Sequence, residues 1–292
     1  MREIEQSENT AGHLHSDTQD GGAGGEGGGQ DGNDTQIHRA PSLDLLCAEI
    51  RVLHRRREFA LKTNIRLENA LAAFVRGNVF GFDPNAPEAA RKKVLTATKK
   101  LLKEIREGGE HELAGMVFHT DTAKLPFKEL EKQTHQAMED LAQRLPVWPW
   151  VAAVKGFGAP SLASVIAETG DLGGYANPAK VWKRLGLAVI GGKRQGAPGS
   201  GASAEDWIAH GYNPRRRSVS WRCFDSFFRC QLGQEPLPYG VIYYAKKDDY
   251  LARGWPTGHA DKAARRYVEK RVLRDLWRAW RDAEAEMPDA GI

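Results

Sequence analysis

Val151-Ala-Ala-Val-Lys-Gly-Phe-Gly-Ala-Pro-Ser-Leu-Ala-Ser-Val-Ile-Ala-Glu-Thr-Gly170 is the stretch around which the rest of the chain is arranged. Gly156 and Gly158 let the backbone reverse tightly, because glycine accepts positive φ and has no Cβ to clash. A helix then begins at Ser161, or at Ala159-Pro160 ahead of it, and ends at Gly170. One face of that helix is formed, at helical spacing, by Leu162, Val165, Ile166 and Thr169. The stretch therefore predicts a helix, a glycine hairpin and a second helix.

A helix–hairpin–helix of this kind suits phosphate binding. The second helix points its free N–H groups and the positive end of its dipole at the bend, and the amides of Gly156 and Gly158 add donors. Lys155 lies beside the turn and supplies a positive charge. The pattern fits an ordinary helix pair joined by a glycine turn equally well, and in that case the two glycines serve packing alone.

Charge is unevenly distributed along the 292 residues, whose formal net charge is +4. Residues 1–42 hold eight acidic and two basic residues, which leaves a net charge of +10 on residues 43–292. Such a basic body is consistent with a polyanionic partner. There is no apolar run of about 18 residues and no secretory leader, so a cytoplasmic protein without a membrane partner is expected. The three scattered cysteines fit that reducing compartment better than disulfides or a zinc site.

Two regions precede the glycine hairpin. Residues 1–41 form an acidic, glycine-rich leader with too little apolar surface to offset its ordering entropy, and we expect it to be disordered. Residues 42–145 form a helical, coiled-coil region. Its long first helix, from Ser42 to about Gly77, carries a repeat of about 3.5 residues. That repeat is formed by Leu43, Leu46, Ile50, Leu53, Arg57, Ala60, Asn64, Leu67, Leu71 and Phe74.

The repeat favours a coiled coil. The helix either pairs with a second chain, which makes a homo-oligomer, or folds back on a later helix of its own chain. Arg57 and Asn64 interrupt the apolar seam, and a buried Asn at such a position tends to fix register and oligomer number. The alternative is a long amphipathic helix packed inside a monomer.

Six further helices are predicted, over residues 88–107, 126–144, about 178–186, 218–232, 241–253 and about 260–286. The first is strongly basic, and the last has one apolar face with basic residues on the others. That apolar face is formed by Ala264, Val268, Val272, Leu276 and Trp280. Residues 110–126 have no clear pattern. Their His111, His119 and Asp121 do not match a metal-ligand spacing, so we predict no metal site in this chain.

Several segments, taken in order over residues 150–282, resemble the C-terminal domain of the IS110/IS116/IS902-type transposases. That family shows a Pro-Gly-hydrophobic-Gly hairpin followed by a Glu-hydrophobic-Gly-Asp motif. Val154-Lys-Gly-Phe-Gly through Glu168-Thr-Gly-Asp171 is similar, with Lys155 in place of the proline. The following Ala179-Lys-Val-Trp-Lys-Arg-Leu-Gly-Leu187 resembles the family's next helix.

The resemblance continues beyond that helix. Ser200-Gly-Ala-Ser203 is similar to the family's Ser-Gly-x-Ser segment, and His210-Gly-Tyr-Asn-Pro-Arg-Arg-Arg217 is similar to its Lys-Gly-Asn-x-x-Leu-Arg segment. Tyr243, Tyr244 and the helix from Ala260 to Trp280 fit its closing region. Residues 146–287 are therefore expected to be a transposase C-terminal-like, DNA-binding domain.

The resemblance implies DNA strand transfer, or recombination, by a serine nucleophile. Ser200 is the first choice and Ser203 the second. A serine on a glycine-rich loop is exposed, and the phosphorane that it forms needs positive charge nearby. Guanidinium and ammonium groups bind phosphate oxygens. The basic residues suited to that role are Lys193, Arg194, Arg215, Arg216 and Arg217.

The resemblance also implies components that this chain lacks. In the family a RuvC-like domain holds divalent metal with four acidic residues, and guide RNA selects the target. No such domain is visible here, so we expect no cofactor in this chain, and metal only from a RuvC-like partner.

The predicted fold class is thus all-α: a disordered leader, a coiled-coil region and a helix–hairpin–helix domain. The predicted function is a transposase-related DNA-binding protein with DNA as partner and guide RNA as a further implied partner. The alternatives are a non-catalytic helix–hairpin–helix module that binds nucleic acid and a coiled-coil assembly protein.

Overall fold

The computed structural model describes residues 42–199 and 201–287, and within them the chain is all-α, with ten helices and one short β-hairpin. The acidic leader of residues 1–41 and Ser200 lie outside the described residues. The helices are α1 (Leu43–Asn78), α2 (Glu88–Arg106), α3 (Ala114–Gln143), α4 (Trp148–Ala153), α5 (Ala159–Thr169), α6 (Pro178–Arg184), α7 (Ala204–His210), α8 (Pro214–Gln231), α9 (Pro238–Ala252) and α10 (Thr257–Ala285). The strands of the hairpin, between α6 and α7, are β1 (Val189–Ile190) and β2 (Lys193–Arg194), which pair antiparallel.

The first helix begins and ends close to its predicted bounds, and it packs along α3 of the same chain. Ser42 is the N-cap of α1, and its hydroxyl accepts a hydrogen bond from the Leu45 amide. Two pairs of residues show that α1 and α3 run antiparallel: Arg57 contacts Glu131, and Glu68 contacts Lys124. The seam of α1 is therefore covered by a later helix. Pairing with a second chain stays a prediction.

The helix α3 begins twelve residues earlier than the predicted start at Pro126, which lies inside it. Proline removes one backbone donor from a helix. Here side-chain contacts with α1 stabilise the helix on both sides of the proline: Lys124 contacts Glu68, and the Phe127 ring lies 6.0 Å from the Phe59 ring. Tertiary packing thus outweighs the local preference of proline.

Most of the apolar core surrounds α5. Nine of its eleven residues are buried, including the whole face predicted from the sequence, Leu162, Val165, Ile166 and Thr169. The helix α5 packs against α1, α3 and α8. Helices from both sides of residue 145 therefore share one core. A separate small cluster joins the far end of α1 to α2 and α3 through Leu71, Val75, Leu102, Ile105 and Val117.

The last helix, α10, packs against α9, α6 and α4. Its predicted apolar face is confirmed, because Ala264, Val268, Val272, Leu276 and Trp280 are fully buried. Among the described residues, none of the helices combines the length and the apolar character needed to cross a membrane.

Candidate nucleic-acid interface

The glycine hairpin forms where the sequence places it. The helix α4 ends at Ala153, Gly156 adopts a φ of +88°, and Gly158 is the N-cap of α5. The carbonyl of Gly158 accepts hydrogen bonds from the amides of Ser161 and Leu162. Within the described part of the chain, the amides of Gly158 and Ala159 make no such backbone bond. The bend therefore leaves donors at the N-terminus of an eleven-residue helix.

The two glycines have different neighbours. A Cβ on Gly156 would lie 2.8 Å from the Cys230 Cβ and 3.1 Å from the Phe227 carbonyl oxygen, both on α8. A Cβ on Gly158 would meet only the Pro160 Cδ, at 3.7 Å, and Gly158 is exposed. Gly156 is thus fixed by packing against α8, whereas Gly158 leaves its backbone open to solvent.

Two further contacts attach the bend to α8. Phe157 is fully buried, with its ring 5.7 Å from that of Phe224. The side chain of Gln231 donates a hydrogen bond to the Lys155 carbonyl oxygen over 2.7 Å. The orientation of the hairpin is therefore set by a helix that starts more than fifty residues later in the chain.

An open groove of about 520 Å³ lies beside the bend, and its lining includes Gly158, Ser161, Arg57, His135 and Arg222. Arg222 is exposed, as is Lys155 in the bend itself, and neither forms an ion pair with another described residue. Arg57, in contrast, contacts Glu131 at 3.4 Å. The bend therefore faces solvent next to two free positive charges.

Lys193 and Arg194 lie on β2, and both are exposed. The turn before them, Gly191-Gly192, has φ angles of +55° and +75°, which is the conformation of a two-residue hairpin turn with positive φ at both positions. The buried Gln195 then ties the hairpin to its surroundings: its side chain accepts from the Ala188 amide and donates to the carbonyls of Lys183 and Gly211. The sequence analysis missed this hairpin, although the Gly-Gly pair signals it.

The three consecutive arginines at the start of α8 contact three different helices. Arg215 donates to Glu58 of α1 over 2.9 Å, Arg216 lies 3.4 Å from Glu168 of α5, and Arg217 donates to Glu269 of α10 over 2.6 Å. Successive residues on a helix point in directions about 100° apart, which explains how one run reaches three partners. Their charges are matched inside the protein, and their contact with phosphate stays a prediction.

Two of those carboxylates belong to a buried polar cluster that the sequence analysis did not identify. His54 and Glu58 lie one turn apart on α1, and Glu168 lies at the end of α5. Burial alone would raise the pKa of Glu168, but the adjacent His54 imidazole and the Arg215 and Arg216 charges outweigh it and lower that pKa. The i, i+4 spacing of His54 and Glu58 is the signal that could have placed the pair on one helix face.

Of the two candidate nucleophiles, Ser203 is described. It is the exposed N-cap of α7, and it forms a capping box in which its hydroxyl oxygen accepts from the Asp206 amide while the Asp206 carboxylate accepts from the Ser203 amide. The helix α7 was not predicted, although the Ser-x-x-Asp spacing is a helix-start signal. Its capping role gives Ser203 a structural function in addition to the one implied by the resemblance.

A second basic surface lies on the other side of α8. It surrounds an open cavity of about 410 Å³ whose lining includes Arg194, Arg217, Trp221, Lys262 and Arg266. Arg266 donates to the carbonyls of Gly186 and Ala188, and burial, reinforced by the Arg217 and Arg194 charges, lowers its pKa to about 10. The lining also includes Arg265 and the carboxylates of Asp225, Asp261 and Glu269, so cations outnumber carboxylates by five to three beside the hairpin that carries Arg194.

Comparisons of the chain with protein-family models, with curated proteins and with solved structures found no match.

Proposed function

We propose that the chain binds DNA, and that residues 146–287 act as a transposase-related, DNA-binding domain working in the cytoplasm. The observation that supports this most directly is the exposed bend at Gly158. Among the described residues, the amides of Gly158 and Ala159 have no backbone acceptor, and the nearby Lys155 and Arg222 have no ion-pair partner. A phosphate group at this bend would accept from the two amides and face the positive end of α5.

Phosphate contacts of this kind do not read sequence, and their strength falls steeply with salt. The basic surface around Lys193 and Arg194 extends the positive charge beyond one phosphate. A duplex long enough to reach both surfaces is therefore the expected ligand, and several cations contribute to its affinity.

The test is a fluorescence-anisotropy titration of a random duplex with the full chain at several salt concentrations. Lys155→Ala and Arg222→Ala should each weaken binding and reduce the slope of log affinity against log salt by about 1. The matched control is Lys99→Ala, since Lys99 is an exposed lysine of α2, far along the chain from the bend. Equal affinities for the chain and both bend variants, or no duplex binding at low salt, would refute the proposal.

Strand transfer by a serine is the further step that the resemblance suggests. The serine oxygen attacks a DNA phosphorus, and its proton passes to a general base. The cleaved strand leaves as a free hydroxyl, so a phosphoserine ester links protein and DNA. A covalent adduct lost in Ser200→Ala and kept in Ser203→Ala would support Ser200, provided that a RuvC-like partner is supplied.

A non-catalytic nucleic-acid-binding module is the second candidate. It is favoured by the engagement of Ser203 in a capping box and by the carboxylate partners of Arg215, Arg216 and Arg217, which offset positive charge that a reacting phosphate would need. If DNA binding is observed with no adduct under any of these conditions, this candidate is selected.

A further inference from the structure

The polar cluster at the junction of α1, α5 and α8 has the donor set of a metal site. His54 Nε2 lies 3.3 Å from Glu168 Oε1 and 3.7 Å from Glu58 Oε1, and one ligand atom from each of the three residues lies within 4.8 Å of the other two. Ligand atoms that bind a tetrahedral ion at about 2.0–2.2 Å are separated by about 3.3–3.6 Å. The imidazole and the two carboxylates are thus already close to coordination distance.

His54 is the observation that points to a ligand. Its side chain is 98% buried, since its exposed fraction is 2%, and within the described chain neither ring nitrogen has a hydrogen-bond partner. Glu168 is also more than nine-tenths buried, and its Oε1 atom accepts no hydrogen bond from the described residues, although His54 Nε2 lies at 3.3 Å and an Arg215 nitrogen at 3.4 Å. A buried polar group without a hydrogen bond costs about 1–3 kcal/mol. His54 Nε2 and Glu168 Oε1 lie 3.3 Å apart without a hydrogen bond between them, so a cation held between these side chains would satisfy both atoms.

We propose that His54, Glu58 and Glu168 bind a divalent transition-metal ion, with Zn²⁺ as the type case. One nitrogen and two oxygens suit Zn²⁺ and its neighbours in the first transition row better than Ca²⁺ or Mg²⁺, which take oxygen ligands. Three protein ligands leave a fourth position for water or another group. This site is independent of the proposed DNA interface.

Arg215 would compete with the ion for the two carboxylates. It donates to Glu58 and lies 3.4 Å from Glu168 Oε1, so it neutralises the same two carboxylates that the ion would use. Its side chain is 46% exposed and starts at the surface end of α8. On metal binding the Arg215 guanidinium turns into solvent, Arg216 keeps its place beside Glu168, and the two carboxylates balance the charge of the ion.

The chain offers a matched control for this site. His135 and Glu139 on α3 have the same i, i+4 spacing as His54 and Glu58, at 3.8 Å, but His135 is 41% exposed and no described residue adds a third ligand to the pair. The chain has nine histidines, so stoichiometry alone does not identify the site. The site is identified by the difference in metal affinity between variants at His54 and at His135.

The experiment is calorimetric titration of the chelator-treated full chain with Zn²⁺, and separately with Mn²⁺. Removing an outer-shell partner of a metal ligand costs about 10–100-fold in affinity, so His54→Ala should lose more than about 100-fold. His135→Ala should leave that affinity unchanged. Arg215→Ala should raise it, because the competing cation is gone.

Circular dichroism checks that each variant is folded. If His54→Ala does not fold, Glu168→Gln, which keeps the shape of the side chain, takes its place. Equal Zn²⁺ affinities for the chain, His54→Ala and Glu168→Gln would overturn the proposal, as would the absence of binding by both ions. Loss of stability in His54→Ala with no metal binding by the unchanged chain would show a purely structural cluster and overturn it too.

Discussion

Gly156 and Cys230 approach each other so closely that a Cβ added to Gly156 would lie 2.8 Å from the Cys230 Cβ. The same glycine has a φ of +88°, which residues with a side chain rarely adopt. Two separate requirements, the backbone angle of the bend and the contact with α8, therefore exclude any other residue. A bend that looks like a phosphate-binding motif in the sequence is, at this glycine, a packing contact.

Gly156→Ala is accordingly expected to lower the free energy of unfolding by about 2–4 kcal/mol, the combined cost of a left-handed alanine and an overpacked contact. Urea denaturation followed by circular dichroism measures it. The control is Gly77→Ala, because Gly77 lies inside α1 with no atom near the added Cβ, and alanine favours a helix. A Gly156→Ala variant as stable as the Gly77→Ala variant would contradict this account of the bend.

Gly158→Ala should lower the affinity for DNA with little effect on stability. Its backbone, with φ −80° and ψ −170°, is accessible to alanine, and the added Cβ meets only ordinary contact. We expect a loss of stability of about 1 kcal/mol or less, since alanine is a poorer N-cap than glycine. Duplex affinity should fall about tenfold, because the methyl group keeps a phosphate from the Gly158 and Ala159 amides, and such a hydrogen bond is worth about 1.5 kcal/mol or more. Anisotropy titration checks it, and unchanged affinity in the folded variant would remove the bend from the interface.

A charged network joins α1, α2 and α3, and it predicts a pH-dependent effect. Arg106 donates to Glu68 and to Asp121, and Lys124 contacts both carboxylates. The hydrogen bond from Arg106 is the main cause that lowers the pKa of Glu68 and of Asp121, against the opposing effect of burial.

A carboxyl group whose pKa is lowered by folding stabilises the protein above its unfolded pKa of about 4, and this contribution disappears as the pH falls through the folded pKa. Arg106→Met should therefore cost up to about 1 kcal/mol at pH 7, a value limited by the partial exposure of the network, and much less near pH 2. Urea denaturation at both pH values measures the difference. Lys103→Met is the control, since its pair with Glu107 is largely exposed. A cost that is the same at both pH values would contradict the assignment.

The three cysteines should differ in reactivity. Cys230 is exposed, whereas burial raises the pKa of Cys47 to about 12 and that of Cys223 to about 11. Since the thiolate is the reactive form, a thiol reagent at pH 8 should label one cysteine in the native chain and three after unfolding. Mass spectrometry of the labelled peptides identifies the residue. Rapid labelling of Cys223 in the native state would mean that the contact between α5 and α8 opens.

Some of the elements that the sequence analysis missed or misplaced had local signals. The capping box of Ser203 and Asp206, and the Gly-Gly turn before Lys193, could each be found in the sequence. The start of α3 could not, because proline at position 126 argues for a helix start and only the contacts of its flanking residues with α1 override it.

By itself, the sequence determined the helical fold class, the bend at Gly156–Gly158 and the buried faces of α5 and α10, because periodicity and glycine chemistry are local properties of the chain. Tertiary structure alone decided which charges stay free. Arg215 meets Glu58 across 157 positions of sequence, and His54 meets Glu168 across more than a hundred, while Lys155 and Arg222 form no ion pair with a carboxylate in the described part of the chain. The partner of a charged side chain depends on which helices pack together, and no spacing along the chain encodes that.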